Sequence, residues 1–299
     1  MRKFSITIPA TSANNGPGFD STGIAVSRYL ELHVEPSNHW VFEHDSPYLE
    51  PNPQAEKHYI YFIANKIAKQ YDKDLPPAKV IVTSDIPLAR GLGSSASAVV
   101  AGIELANQLC DLGLTDRDKL KLATSFEGHP DNVAPAIFGG FVISAQFSND
   151  DIDYIKLPKL ELDTVIYIPN VELKTSESRK VLPDSFSRSD ATAASGISNL
   201  MLTALMEKNY ELAGKMMERD LFHEPYRAKL IPNYDFIKAE AKKLGAYGTV
   251  ISGAGPTMIS FVEKNKGTEL AKAMQAKLEN YDVSNALLDD TGLCVSFMD

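Results

Sequence analysis

Apolar and polar residues alternate from the start of the chain: Phe4, Ile6 and Ile8 are separated by Ser5 and Thr7, the period of a half-buried strand. That strand is expected to end at Pro9, because Ala10 to Gly18 is rich in small and turn residues. Leu30, Leu32 and Val34 mark a second strand within Ile24 to Glu35. The period then changes. Ile60, Ile63, Ala64, Ile67 and Ala68 recur at helical spacing between Tyr59 and Tyr71. Lys79 to Ser84 reads as a strand rich in β-branched residues, and a glycine turn at Leu88–Gly93 leads into a helix from Ser94 to about Leu109. Thr115-Asp-Arg-Asp118 resembles a capping box opening a helix that runs to Glu127, and strand returns at Gly139–Ile143.

The polar segment Phe147 to Lys159, ending in Leu157-Pro158, reads as a junction, dividing the chain into residues 1–158 and 159–299. Beyond it the pattern predicts a strand at Thr164–Ile168 and two or three helices between Asp190 and Ala246. Strands follow at Thr249–Ser252 and Met258–Val262, then a helix at Thr268–Leu278 and a last strand at Leu293–Phe297. Strands and helices mix without a strict βαβ beat, so the fold class is α+β.

Composition narrows the function classes. The 299 residues suit about two domains, and 44% hydrophobic with 23% charged residues excludes a disordered or fibrous chain. The net charge of −9 argues against a nucleic-acid partner. The most apolar run, Ala96 to Ala106, is broken by Ser97 and Glu104, so no membrane span is expected. Cys110 and Cys294 stand far apart without neighbouring His or Cys, which speaks against a structural zinc site. With no apolar leader after residues 1–4, a cytoplasmic protein is expected. A homodimer stays open.

Four segments carry candidate chemistry. In Pro87-Leu-Ala-Arg-Gly-Leu-Gly-Ser-Ser-Ala-Ser97, a strand feeds a glycine turn and small hydroxyl residues begin a helix. Gly91 and Gly93 allow close backbone approach or positive φ, and the first amides of the helix have no intrahelical acceptor. With the helix dipole this makes an anion site suited to a polyphosphate, and Ser94-Ser95 can place a hydroxyl on a metal ion. The alternative is a tight turn with Ser94 as N-cap. The second segment, Pro9 to Asp20, is a loop of small polar residues. The third, Glu127-Gly-His-Pro-Asp-Asn132, gathers acid, imidazole and amide groups at a helix end, where they form either a metal and substrate site or a solvated turn. The fourth, Ser252-Gly-Ala-Gly-Pro-Thr257, is a second glycine turn after a strand.

Together, in this order, the segments resemble the GHMP kinase superfamily, and in particular its homoserine kinases. The narrower likeness rests on Pro9–Asp20, on His129-Pro-Asp-Asn132-Val-Ala-Pro135, and on Arg179 and Arg227 in their surroundings. The resemblance implies a two-domain α+β fold, with an N-terminal domain like the second domain of ribosomal protein S5 and a ferredoxin-like C-terminal domain. It implies ATP-dependent phosphorylation of L-homoserine to O-phospho-L-homoserine in threonine synthesis. ATP would lie on Pro87, Leu88, Ala89, Arg90, Gly91, Leu92, Gly93, Ser94, Ser95, Ala96 and Ser97. Mg²⁺ would be held by Ser95 (or Ser94) and Glu127, and Asn132 would orient the acceptor hydroxyl without serving as a base.

Homoserine would meet Asn14, Asp20, His129, Asn132, Thr175, Arg179, Arg227 and Gly253. The arginine forks suit its carboxylate, and Asp20, with Asn14 and His129 as neutral partners, suits its ammonium group. Asp131 is expected to be a turn residue facing solvent, with a role as base the alternative, and adenine is expected near Lys57-His-Tyr-Ile60. The rival readings are a GHMP kinase for a carboxylated alcohol such as mevalonate, and a catalytically silent ligand sensor.

Overall fold

The computed structural model describes residues 2–51, 53–148 and 151–298. The first half contains β1 (Phe4–Ala13), β2 (Thr22–Pro36), β3 (Val41–Asp45), helix α1 (Tyr59–Gln70) and β4 (Ala78–Ser84). Then come α2 (Ser94–Cys110), α3 (Asp116–Glu127), α4 (Val133–Phe138) and the strands β5 (Phe141–Ser148) and β6 (Asp151–Lys156). The second half opens with β7 (Leu162–Pro169), α5 (Thr175–Arg179), α6 (Arg188–Met206), α7 (Tyr210–Met217) and α8 (Glu224–Arg227). It continues through α9 (Tyr234–Lys243), β8 (Gly248–Ile251), β9 (Met258–Glu263), α10 (Gly267–Gln275), β10 (Tyr281–Ala286) and β11 (Cys294–Phe297).

Two sheets organise these elements. The first runs β11-β1-β2-β4-β3, with β5 pairing β2 and β6 pairing β5. Its pairings are antiparallel except β3 with β4, which α1 connects as a parallel crossover. The second sheet has order β10-β7-β9-β8 and is wholly antiparallel. Numbered from β7, that order is 4-1-3-2 in a β-helices-β-β-α-β succession, the ferredoxin-like arrangement. The closing strand β11 returns to the first sheet beside β1.

Helix α1 buries Ile60, Ile63, Ala64, Ile67 and Ala68, the residues its period marks. Thr115 and Asp118 exchange the reciprocal hydrogen bonds of a capping box at the start of α3. Three sequence expectations change. Strand β1 does not stop at Pro9: a register shift at Pro9/Ala10 absorbs the missing N–H, and pairing continues to Ala13 against Gly23. The polar segment after Phe147 holds a strand the pattern did not predict, β6, which pairs with β5, so the expected boundary at 158/159 falls between β6 and β7; residues 149 and 150 lie outside the described residues. The region Asp190–Ala246 holds four helices, of which α8 is a single turn. Among the described residues no helix is long and apolar enough to cross a membrane.

Candidate active site

Backbone hydrogen bonds knit three of the sequence segments together. Thr11 N–H donates to Leu92 O (3.1 Å), Gly253 N–H to Ala13 O (3.0 Å) and Thr257 N–H to Arg90 O (3.2 Å), while Ser252 Oγ donates to Gly91 O (2.6 Å). The N-terminal loop, the α2 turn and the C-terminal glycine turn thus form one rim. Asn14, Asn15 and Asp20 all adopt positive φ, which asparagine and aspartate tolerate better than other side chains. Asn14 is nevertheless buried: its Nδ2 donates to Gly253 O, and its Oδ1 accepts from Asp20 N–H.

The N-cap of α2 is Gly93, in the left-handed region, rather than Ser94, and no side chain caps the helix. Among the described residues the amides of Ser94, Ser95 and Ala96 have no acceptor, so the first turn keeps its donors for a ligand. The reason for glycine differs from simple ligand clearance. A Cβ at Gly93 would lie 2.1 Å from Thr11 Oγ1 and 3.1 Å from Asn132 Oδ1, the two atoms of a 2.9 Å hydrogen bond. Gly93→Val should therefore displace the turn and the Asn132 amide together. The expected outcome is an ATP affinity at least about tenfold weaker by calorimetry, with turnover also reduced, in a protein that still unfolds cooperatively. Unchanged ATP affinity in a folded variant would contradict the phosphate-loop assignment.

These elements enclose a cavity of about 490 Å³. All eight expected substrate residues line it, as do Ala89, Gly91, Gly93, Ser94, Ser95, Ala96 and Glu127. Pro87, Leu88, Arg90, Leu92 and Ser97 do not line it; Leu88 and Ser97 line a neighbouring cavity instead. Leu92 is buried in the core, and Arg90 turns away to Pro169 O, Leu88 O and Glu172. A neighbouring, largely apolar cavity of about 330 Å³ shares Tyr59, Ser94 and Ser95 with the first and adds Ile60, Leu88 and His58. Of the stretch Lys57–Ile60, only Lys57 is not among its lining residues.

Ser95 Oγ donates to Glu127 Oε1 at 2.6 Å. Burial pushes the Glu127 carboxyl up, against the opposing pull of Ser95 and His129. Asp131 does not face solvent: it is 2% exposed, contacts His129 Nδ1 and accepts from Asn132 Nδ2 at 3.4 Å. Burial works against a charged His129, yet the Asp131 carboxylate outweighs it and holds the imidazole above its ordinary value.

Arg179 donates to both oxygens of Asp20, at 2.7 and 3.2 Å. Arg227 is 1% exposed and donates to Ser178 O and Gly253 O. Burial, then the positive charge of Arg179, lowers its guanidinium to about 10. Both guanidiniums lie over one Phe19 ring, at 5.7 and 5.3 Å, and Phe19 stacks on His223. His223 contacts Gly16 O through Nε2 and Arg227 Nη1 through Nδ1, so the neutral tautomer protonated at Nε2 fits both.

Thr11, Phe19, Asp131 and His223 were absent from the sequence-based site. His223 had a signal, four residues before Arg227 and thus on the same face of one helical turn.

Comparison with known proteins settles the family. The pattern of the GHMP kinases N terminal domain matches residues 58–140, and that of the GHMP kinases C terminal matches residues 201–280. A homoserine kinase from Oceanobacillus iheyensis is 53% identical over 297 residues, covering 99% of both chains. The chain belongs to the homoserine kinases of the GHMP kinase family. A homoserine kinase structure from Cytophaga hutchinsonii is 30% identical with a TM-score of 0.85, covering 99% of this chain and 98% of that one. A mevalonate kinase structure, with a TM-score of 0.72 and 18% identity over 96% of this chain and 99% of that one, shares the fold alone. The chain is thus an ATP-dependent kinase with an alcohol acceptor.

His58 ties the apolar cavity to stability. Its Nδ1 accepts from Ile60 N–H as the N-cap of α1, and its Nε2 lies 2.9 Å from His44 Nε2. Burial, then His44, lowers its pKa from 6.5 to about 4. An imidazole depressed on folding contributes fully above the unfolded value, and that contribution is lost as pH falls from 6.5 towards 4. Wild type should lose about 1–3 kcal/mol more than His58→Asn between pH 7 and pH 4.5, because Asn keeps a capping oxygen but does not titrate. Urea unfolding at the two pH values checks this; parallel losses would contradict it.

Proposed function

We propose that this chain transfers the γ-phosphoryl group of ATP to the side-chain hydroxyl of L-homoserine, giving O-phospho-L-homoserine for threonine synthesis. The observation that carries the reading is the meeting of Arg179, Arg227 and Asp20 with the Ser95–Glu127 pair in one cavity. The cavity offers charges for both ends of an amino acid beside a turn built for phosphate. Phosphoryl transfer proceeds through a loose transition state and asks chiefly for positioning and charge neutralisation.

The free amides at the start of α2 would cradle phosphate oxygens, and the apolar cavity beside Tyr59 and His58 would take the purine. The Ser95–Glu127 pair fits Mg²⁺: both donors are hard oxygens, and Glu127 is a half-buried carboxylate with a hydroxyl as its near partner. When bound there, the ion would neutralise phosphate charge. Asp20, His129 and Asp131 also bring three donor atoms within 4.8 Å of one another. That trio suits Mg²⁺ less, since Arg179 already balances Asp20, His129 already balances Asp131, and an imidazole is a poor ligand for a hard ion.

Asn132 would orient the acceptor hydroxyl, its amide fixed by Thr11 on one side and Asp131 on the other. An amide takes no proton at neutral pH, and Asp131 is engaged by two neighbours, so the proton would leave to phosphate or water. The reading also includes a cytoplasmic enzyme, with a homodimer as its open assembly. Phosphorus NMR of a reaction with Mg·ATP and L-homoserine should reveal ADP and one new phosphomonoester; consumption of ATP without that ester would contradict the proposal.

A further inference from the structure

His223 does not line the cavity and is wholly buried, yet its imidazole touches the parts that shape the site. Nε2 lies 3.0 Å from the carbonyl of Gly16, in the loop that carries Asn14, Phe19 and Asp20. Nδ1 lies 3.3 Å from Arg227 Nη1, and the ring face stacks on Phe19, over which both guanidiniums rest. A guanidinium only donates, so Nδ1 is the bare acceptor and Nε2 carries the proton given to Gly16 O. Burial, helped by the Arg227 charge, lowers the imidazole from its ordinary value against the pull of Asp220 and Glu224, which favours that neutral form. The donors of Arg227 are then accounted for. Nε serves Ser178 O, and Nη1 serves Gly253 O and His223 Nδ1. Among the described residues, Nη2 has no protein acceptor.

We propose that His223 is a positioning residue: it holds the Arg227 guanidinium in the orientation that keeps Nη2 for the acceptor's carboxylate, and it ties that orientation to the Asn14–Asp20 loop through Gly16. The inference deepens the amino-acid reading of this cleft and rests on it. Without an acceptor at the Nδ1 position, one Nη1 donor is left buried and unpaired. The guanidinium relieves that cost by turning away from Ser178 O and Gly253 O, and Nη2 turns with it. A ring protonated at both nitrogens would set N–H against N–H and have the same effect. A histidine that merely filled space would place no such demand on Nδ1.

Asparagine and glutamine divide the two ring nitrogens between them. His223→Asn puts an amide oxygen near the Nδ1 position and does not reach Gly16. His223→Gln puts an amide N–H near the Nε2 position and leaves carbon where Nδ1 was. Both lose the ring beneath Phe19, so both should be less stable than wild type, and stability does not separate them. Homoserine KM does: in His223→Gln it should rise about tenfold over wild type and stand at least about fivefold above that of His223→Asn. In both variants kcat should stay within about threefold, and ATP affinity by calorimetry should be unchanged. Equal KM values in the two variants, with a wild type that phosphorylates homoserine, would overturn the positioning role and leave the acceptor reading standing. A wild type that does not phosphorylate homoserine overturns both. Should neither variant fold, the wild type carries the test alone. NMR of its imidazole nitrogens at neutral pH should show His223 protonated at Nε2 and bare at Nδ1, and a proton on Nδ1 would overturn the proposal.

Discussion

Glu127→Gln is expected to cut turnover by about a hundred- to a thousandfold, with the homoserine KM changed by no more than a few-fold. Glutamine preserves the shape at the end of α3 and can still meet the Ser95 hydroxyl. On the proposed reading, what it removes is the charge that would face the metal ion. That charge is costly to keep, because burial raises the Glu127 carboxyl and so disfavours its ionised form. The variant should consequently match or exceed wild type in thermal stability while losing activity, a split that a purely structural glutamate would not produce. Near-normal turnover would shift the metal site to Asp131 and its neighbours.

The second large effect is expected at Arg227. Its guanidinium is fully enclosed, it donates to two backbone carbonyls, and its remaining donors face a cavity that already contains a second positive charge. On the proposed reading, an acceptor carboxylate would relieve that unfavourable state. Arg227→Leu should lower kcat/KM for homoserine by about 30- to 5,000-fold, the range for losing one partner of a desolvated charge pair. ATP affinity should be nearly unchanged, since Arg227 does not touch the α2 turn. Arg227→Lys should recover little, because an ammonium group cannot reproduce a fork held at Ser178 O and Gly253 O. Equal losses in ATP and homoserine affinity would show instead that the cleft had collapsed.

Much of this arrangement was legible along the chain because it is written locally. The 3.6-residue period of α1, the Thr115–Asp118 capping box and the small hydroxyl residues after two glycines each act within a few residues of themselves. What escaped was set by distant partners. Pro9 looks like a strand terminator, yet β2 pairs past it through a shifted register. β6 lies in a polar segment that reads as a junction, and its strand is set by pairing with β5. Asp131 has the local appearance of a solvated turn, yet it is buried with its backbone against Gly23 of β2. The pairing of Asp20 with Arg179 spans 159 positions and has no local signature; resemblance to the family brought both residues into the site but assigned them to opposite charges of a ligand. At Gly93 the fold adds a reason for glycine that the sequence does not carry, its closeness to Thr11 and Asn132.

The central claim is that this cleft selects an amino acid rather than a plain hydroxy acid. The direct measurement is ADP release by the wild-type enzyme with L-homoserine and with mevalonate under identical Mg·ATP. The charge set of Asp20, Arg179 and Arg227 predicts a kcat/KM for homoserine at least about a hundredfold higher. Equal or faster phosphorylation of mevalonate would contradict it.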